Sequence, residues 1–368
     1  MAICIVFITI SLSTLLFAIA EHVKFSYGGR NVNAVIASIA LVIPVIIAAS
    51  RQIIDLGDTT LYGRVLYDSA KTMSFMDYYK TFHKGYYAIE ILYLIISYGI
   101  SNITYSYHGL LFFISIFNNF LIYDGLKKLK AHFNIEVWFA MFIFYFLYYG
   151  QTLNIVRQSL AVAIVFWGIH LIFEKKPLKF FLCVLMASLI HVSAVLGVTL
   201  YILYSLLYNK KYRKQKVFII ALIMFFLVFQ YQNMFVILRY LNILPSKFYS
   251  LYSISSISVS PYAILTKGPI VIFFGWRFAK TYKDMEILDL DKWYLFLLLV
   301  IDFLVSQLAG ANADLVRLSL YFAYAKIILF SSVSSKKVKL WLQVYCLLCF
   351  FLEYGYYGEI PVNLFGGM

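Results

Sequence analysis

The feature that most limits this chain is the recurrence of apolar runs of about the length that crosses a bilayer. A helix needs about 20 mostly apolar residues to cover roughly 30 Å of hydrocarbon. Within lipid its backbone amides must also be satisfied by the segment itself. Runs of this kind recur from Ala2–Ala20 through to Leu340–Glu353. At 63% hydrophobic and 13% charged residues, the 368-residue chain carries more apolar surface than a water-soluble core can bury. The pattern predicts an all-α polytopic integral membrane protein with about 11–13 transmembrane or re-entrant helices. It forms a single transmembrane domain over residues 1–368, with no stretch left for a separate soluble domain. The first run ends in small residues, as a secretory signal does, but no basic residue precedes it, and it is read as a retained first helix.

The net charge of +14 does not point to nucleic acid, because the basic residues form short clusters between apolar runs instead of one soluble face. No glycine-rich phosphate loop is present, so no nucleotide cofactor is expected. Cys4, Cys183, Cys346 and Cys349 all fall in apolar runs and read as packing residues. The Cys346 to Cys349 spacing resembles a redox or zinc pair only when that setting is ignored.

Five basic clusters set the topology: Lys127, Lys128 and Lys130; Lys175, Lys176 and Lys179; Lys210 to Lys216; Arg277, Lys280 and Lys283; and Lys336, Lys337 and Lys339. Basic loops stay in the cytoplasm. Two runs, Val137–Tyr149 and Ile155–Phe173, separate the first two clusters, so the turn Gly150–Asn154 is external and Arg157 starts its helix at the outer face. Phe180–Tyr208 would make a helix of about 43 Å, too long for one crossing, and both its flanks are basic. A broken helical hairpin that turns near Ile190–Ser193 satisfies both facts, with His191 at its apex. External segments are expected at about residues 51–108 and 232–262. The run Tyr86–Tyr98 carries Glu90 and is either a crossing or a partly inserted amphipathic helix; the second reading is adopted, and the first would put residues 51–108 in the cytoplasm.

A guanidinium near hydrocarbon costs up to about 2.5–3.5 kcal/mol and usually faces a cavity or a partner, which makes Arg157 and Arg317 candidates. The alternative is that each snorkels to the interface or pairs with an acid, such as Asp314 for Arg317. Helical spacing puts Asn154, Arg157, Gln158 and Ala161 on one stripe. A planar guanidinium there suits a lipid phosphate or diphosphate. His191 combines depth with the outer side, whereas His22, His83, His108 and His132 fall in loops or helix ends and His170 lies toward the cytoplasm. In RQIIDLGDTTLYGR, residues 51–64, Asp55 and Asp58 flank a glycine and either act in the site or balance Arg51 and Arg64. Two carboxylates without a histidine or third acid are a poor metal set, so no metal is assigned. Asp302 reads as a partner in a polar network, with no chemistry. Arg239 lies in the tyrosine-rich stretch 239–253, a sugar-holding or membrane-interface composition.

Arg157-Gln158 with Ala161, then a basic turn, then His191-Val192-Ser193-Ala194, resembles the EpsG family of Wzy-type polysaccharide polymerases. RQIIDLGDTTLY resembles that family's arginine then glycine-aspartate motif, and ADLVRLSLYF, with Arg317 and Tyr321, its second arginine helix. The chain departs where the family often has an acid before a glycine-aromatic segment; here it has Lys84-Gly85-Tyr86-Tyr87. The resemblance implies an enzyme that joins oligosaccharide repeat units carried on undecaprenyl diphosphate, donor and acceptor alike, at the outer face of a bacterial inner membrane. It leaves a chain-length regulator protein as a candidate partner. Diphosphate is a good leaving group, so the chemistry needs stabilised charge and a base. Arg157 and Arg317 are assigned to the donor diphosphate, Arg51 or Arg239 to the second lipid-linked substrate, and His191 to the base, with Asp58 as the alternative. Asn154, Gln158, Tyr321 and Asp55 complete the expected substrate contacts. A flippase for lipid-linked sugars and a ligase that moves finished glycan are the rival readings.

Overall fold

The structure is a computed structural model that describes residues 2–23, 26–27, 30–52, 58–85, 88–230, 240, 260–280, 288–310 and 316–356. Apart from a two-residue antiparallel pairing of Ser26–Tyr27 with Arg30–Asn31, its regular elements are helices. Four of them are long and apolar enough to cross a membrane: Ile3–His22, Asn33–Ser50, Tyr107–Phe133 and Val156–Phe173. Shorter apolar helices accompany them, among them Ile91–Ile103, Val137–Leu147 and Pro177–Ser188. The protein is a polytopic all-α membrane protein. Its chain divides into two compact units, Met1–Val198 with Phe330–Met368, and Thr199–Leu329.

In the first unit, α1 (Ala2–His22) packs on α2 (Asn33–Ser50). Pro44 inside α2 has no N–H, which leaves the Ala40 carbonyl without its usual donor. The Ser13 hydroxyl of α1 supplies one at 2.6 Å, and the Tyr149 hydroxyl donates to the Pro44 carbonyl at 2.5 Å. Short amphipathic pieces follow: α3 (Leu66–Thr72), α4 (Phe75–Tyr79) and α5 (Ile91–Ile103). At 13 residues, α5 is about 20 Å long, short of a hydrocarbon crossing. The remaining helices are α6 (Tyr107–Phe133), α7 (Val137–Leu147), α8 (Tyr149–Asn154), α9 (Val156–Phe173) and α10 (Pro177–Ser188).

The ends of these helices sort by charge. Lys130 at the end of α6 pairs with Glu21 at the end of α1, and Glu21 also accepts the Trp138 amide at 2.9 Å. The His132 ring stacks on Phe173 at the end of α9, and Lys339 reaches Glu136 at 2.9 Å. The clusters at 127–130, 175–179 and 336–339 thereby gather at one end of the unit. At the other end His108 donates to the Ala49 carbonyl at 2.6 Å, joining the start of α6 to the end of α2.

The chain breaks after α10 as expected: His191 is extended (φ −152, ψ 119) and a 3-10 turn, Val192–Leu196, leads into α11 (Gly197–Tyr208). A Cβ at Gly197 would lie 3.0 Å from Val184 and 3.1 Å from Val165. A straight helix would hold 184 and 197 about 20 Å apart, so the chain turns back here.

The second unit contains α12 (Arg213–Phe229), α13 (Pro261–Ala279), α14 (Asp289–Ser306) and α15 (Leu320–Ala323). α15 ends at Ala323, and α16 (Ala325–Ser331) follows beyond Tyr324. Arg213 donates to Asp289 at 2.5 Å and to the Leu207 carbonyl at 3.0 Å. Asp302, fully buried, lies 2.7 Å from the Lys267 ammonium and 2.8 Å from that of Lys326. The last helix, α17 (Lys336–Phe350), belongs to the first unit.

Candidate functional site

Four stretches of the first unit deliver polar side chains to the end opposite its lysines. Arg157 sits in the first turn of α9, with the Lys175–Lys176 turn about 27 Å away along the helix. Its Nη1 donates to the Glu90 carboxylate, which stands just before α5. Its Nη2 donates to the Tyr62 hydroxyl at 2.5 Å, and its guanidinium carbon lies 3.8 Å from the centre of the Tyr62 ring. Tyr93 meets the Tyr62 ring edge to face, with its own ring 6.0 Å from the same carbon and its hydroxyl donating to the Tyr62 carbonyl at 2.9 Å. Burial pushes the Tyr62 phenol up, and the adjacent guanidinium pulls it the other way.

The other oxygen of Glu90 accepts the Val192 N–H at 2.8 Å and lies 3.9 Å from His191 Nδ1. That nitrogen accepts the Ser193 N–H at 3.3 Å and is 3.3 Å from Ser193 Oγ. Gln158 is buried and extends its amide toward Ser193 Oγ at 3.5 Å, the outer limit of a hydrogen bond. None of the three ionisable side chains is sealed: Arg157 keeps 12% of its accessible area, Glu90 16% and His191 24%. Arg157 Nε is buried without a hydrogen-bond partner.

This geometry joins Arg157, Gln158 and His191, which sequence reading named, to Glu90 and Tyr62, which it did not. Glu90 carried a signal as a lone carboxylate interrupting an apolar run. Tyr62 ends the stretch RQIIDLGDTTLY that carries the resemblance, but nothing in the sequence singled it out for the site among 32 tyrosines. Asn154 departs from the expected stripe. It ends α8, and Ile155 (φ −88, ψ 62) leaves helical geometry before α9 begins, so the four-residue spacing to Gln158 does not run along one helix.

Arg51, expected to grip a substrate, is 2% exposed, with Nη1 donating to the Ala48 carbonyl of its own helix at 2.5 Å. Asp58 is half-buried and within electrostatic range of Tyr62. In the second unit Arg317 is half-buried and Tyr321 is buried in α15. Asp55 and Arg239 lie outside the described residues. Among the described residues no group of three or more His, Cys, Asp or Glu is placed to hold a metal ion.

Helices of membrane length, lysines at one end and a guanidinium–carboxylate–imidazole group at the other define a polytopic membrane protein with a polar site built at helix ends. The chain matches the EpsG family over residues 34–363, nearly its whole length, and belongs to that family of Wzy-type polysaccharide polymerases. No curated protein and no solved structure matches it.

Proposed function

We propose that this polymerase joins lipid-linked oligosaccharide repeat units at the outer face of a bacterial inner membrane. A glycan moves from undecaprenyl diphosphate to a sugar hydroxyl of a second lipid-linked unit. The acceptor oxygen forms a bond to the anomeric carbon, the bond from that carbon to the phosphate oxygen breaks, the hydroxyl proton goes to a base, and the diphosphate departs as an anion. The observation that carries this reading is the meeting of Arg157 and His191 on one carboxylate, at the end of the first unit remote from its lysines.

Each residue has work it is chemically suited to. A guanidinium offers five N–H donors. One is taken by Glu90 and one by Tyr62, leaving a further N–H on each terminal nitrogen for phosphate oxygens. His191 takes the acceptor's proton. Stabilising the departing charge with fixed cations in a poorly hydrated site is the kind of effect that supplies most of the rate in such transfers. The lysine-rich end is cytoplasmic on the positive-inside rule, which orients the site outward.

The test is purified protein in lipid nanodiscs supplied with lipid-linked repeat units from cells lacking the polymerase. A ladder of lengths supports the reading. Leaflet exchange with unchanged length means a flippase, and transfer only to a non-repeat acceptor means a ligase. Orientation is checked with a membrane-impermeant thiol reagent: Thr81→Cys labels from outside and Lys128→Cys only after permeabilisation. Labelling of both from the same side overturns the outward site.

A further inference from the structure

One carboxylate touches both halves of the proposed chemistry. Glu90 Oε2 meets the Arg157 guanidinium, and Oε1 accepts the Val192 amide at the apex that carries His191. The backbone secures this arrangement independently, because the Leu92 N–H donates to the Leu189 carbonyl at 2.9 Å and ties the start of α5 to the break. Glu90 itself has extended backbone (φ −67, ψ 143), outside the first helical turn, which lets its side chain reach across to two other helices.

His191 Nδ1 stands between opposite demands. The Ser193 N–H at 3.3 Å needs an acceptor, and the Glu90 carboxylate at 3.9 Å needs a donor. For His191 to take a proton on Nε2, Nδ1 must already carry one. The long Ser193 contact then gives way and Nδ1–H turns toward Glu90. A carboxylate in that place fixes the imidazole tautomer and stabilises the imidazolium once it forms. A separation of 3.9 Å is too long for a hydrogen bond, but such contacts commonly tighten only when substrate is bound. Among the described residues, Glu90 before α5 lies against the imidazole, with Arg157 of α9 and Tyr62 beyond it and Asp58 in range of Tyr62.

We infer that Glu90 is a positioning residue that couples donor binding to the base. The inference rests on the polymerase reading above. A diphosphate arriving at Arg157 competes with the carboxylate for the guanidinium. As Glu90 loosens from Arg157, its attraction passes to His191, and the base is set in its working tautomer when the donor is in place. No bond is made or broken in this step, and the proton on Nδ1 stays on the imidazole.

The experiment uses the full chain in nanodiscs with Glu90→Gln and Glu90→Asp. Glutamine keeps the size and an oxygen for the Val192 amide while removing the charge. The expected result is a fall in kcat of at least about tenfold and a shift of the acidic limb of kcat/KM to lower pH by about one unit. The sign follows because the base works when neutral and the carboxylate favours its charged form. Aspartate restores part of both. An unchanged limb and kcat in Glu90→Gln, with Arg157→Ala and His191→Ala inactive, overturns the coupling and leaves the polymerase reading intact. Normal turnover in His191→Ala also overturns the coupling and moves the base to Asp58, whereas wild-type protein that forms no ladder defeats the polymerase reading instead.

A second measurement needs no variant: nitrogen-15 histidine spectra of the wild-type protein titrated with undecaprenyl diphosphate alone. A shift of His191 toward the Nδ1–H form is expected. An Nε2–H form that the lipid leaves untouched overturns the inference.

Discussion

The two units bury charge in opposite ways. In the first, Glu90, Arg157 and His191 stand at helix ends and a helix break, each with part of its surface open. In the second, Asp302 and Lys267 stand within the spans of α14 and α13, Lys326 lies in α16, and Asp302 is fully enclosed. Lys267 also touches the hydroxyl of Ser306, one turn on from Asp302. Backbone supplies part of the binding in the first group, through the Val192 amide, whereas the Asp302 carboxylate in the second lies against two lysine side chains. A cluster at helix ends can admit a ligand with small movements. A cluster locked between helix middles holds those helices in register.

That contrast is open to being broken, beginning with the largest effect. Asp302→Ala leaves the buried ammonium of Lys326 and the half-buried one of Lys267 without their shared carboxylate, and the loss of one partner from a buried ion group costs about 3–5 kcal/mol. The thermal midpoint in detergent should fall sharply while the folded fraction keeps its turnover. A stable protein that makes no polymer would reverse the roles given to the two clusters.

Arg157→Ala should act the other way, lowering transfer by about 10²–10³-fold with correct insertion. Full-length ladders from this variant would remove the guanidinium from the chemistry.

His191→Ala should lower kcat by about 10²-fold and leave donor KM close to its starting value. A rise in KM with kcat intact would make His191 a binding residue.

The smallest effect sharpens the geometry. Gly197→Ala puts a methyl 3.0 Å from Val184, and overpacking of this kind costs about 1–3 kcal/mol. A modest drop in midpoint with a parallel loss of turnover is expected, since Gly197 follows directly on the turn that carries His191. An unchanged midpoint would show that the hairpin arms have room to part.

Some of this could be read along the chain and some could not. Membrane residence rests on the apolar runs, and the break at His191 rests on a run too long for one crossing with basic residues on both flanks. Both depend on local composition and length, which a linear sequence carries in full. Within the first unit, the clusters at 127–130, 175–179 and 336–339 likewise announced helix ends that lie together. The helix interruption before α9 was less legible, because Ile155 is an ordinary apolar-run residue whose backbone angles are set by what packs around it.

The pairing of Glu90 with Arg157 spans 67 positions, and Tyr62 joins it from a third stretch. Nothing in the spacing of those residues specifies that they meet. A carboxylate in an apolar run must find a partner somewhere, so the sequence alone required that Glu90 be satisfied. Which cation satisfies it was decided by how α5, α9 and the broken hairpin pack, because the energy of an ion pair depends on a distance through space and not on a distance along the chain.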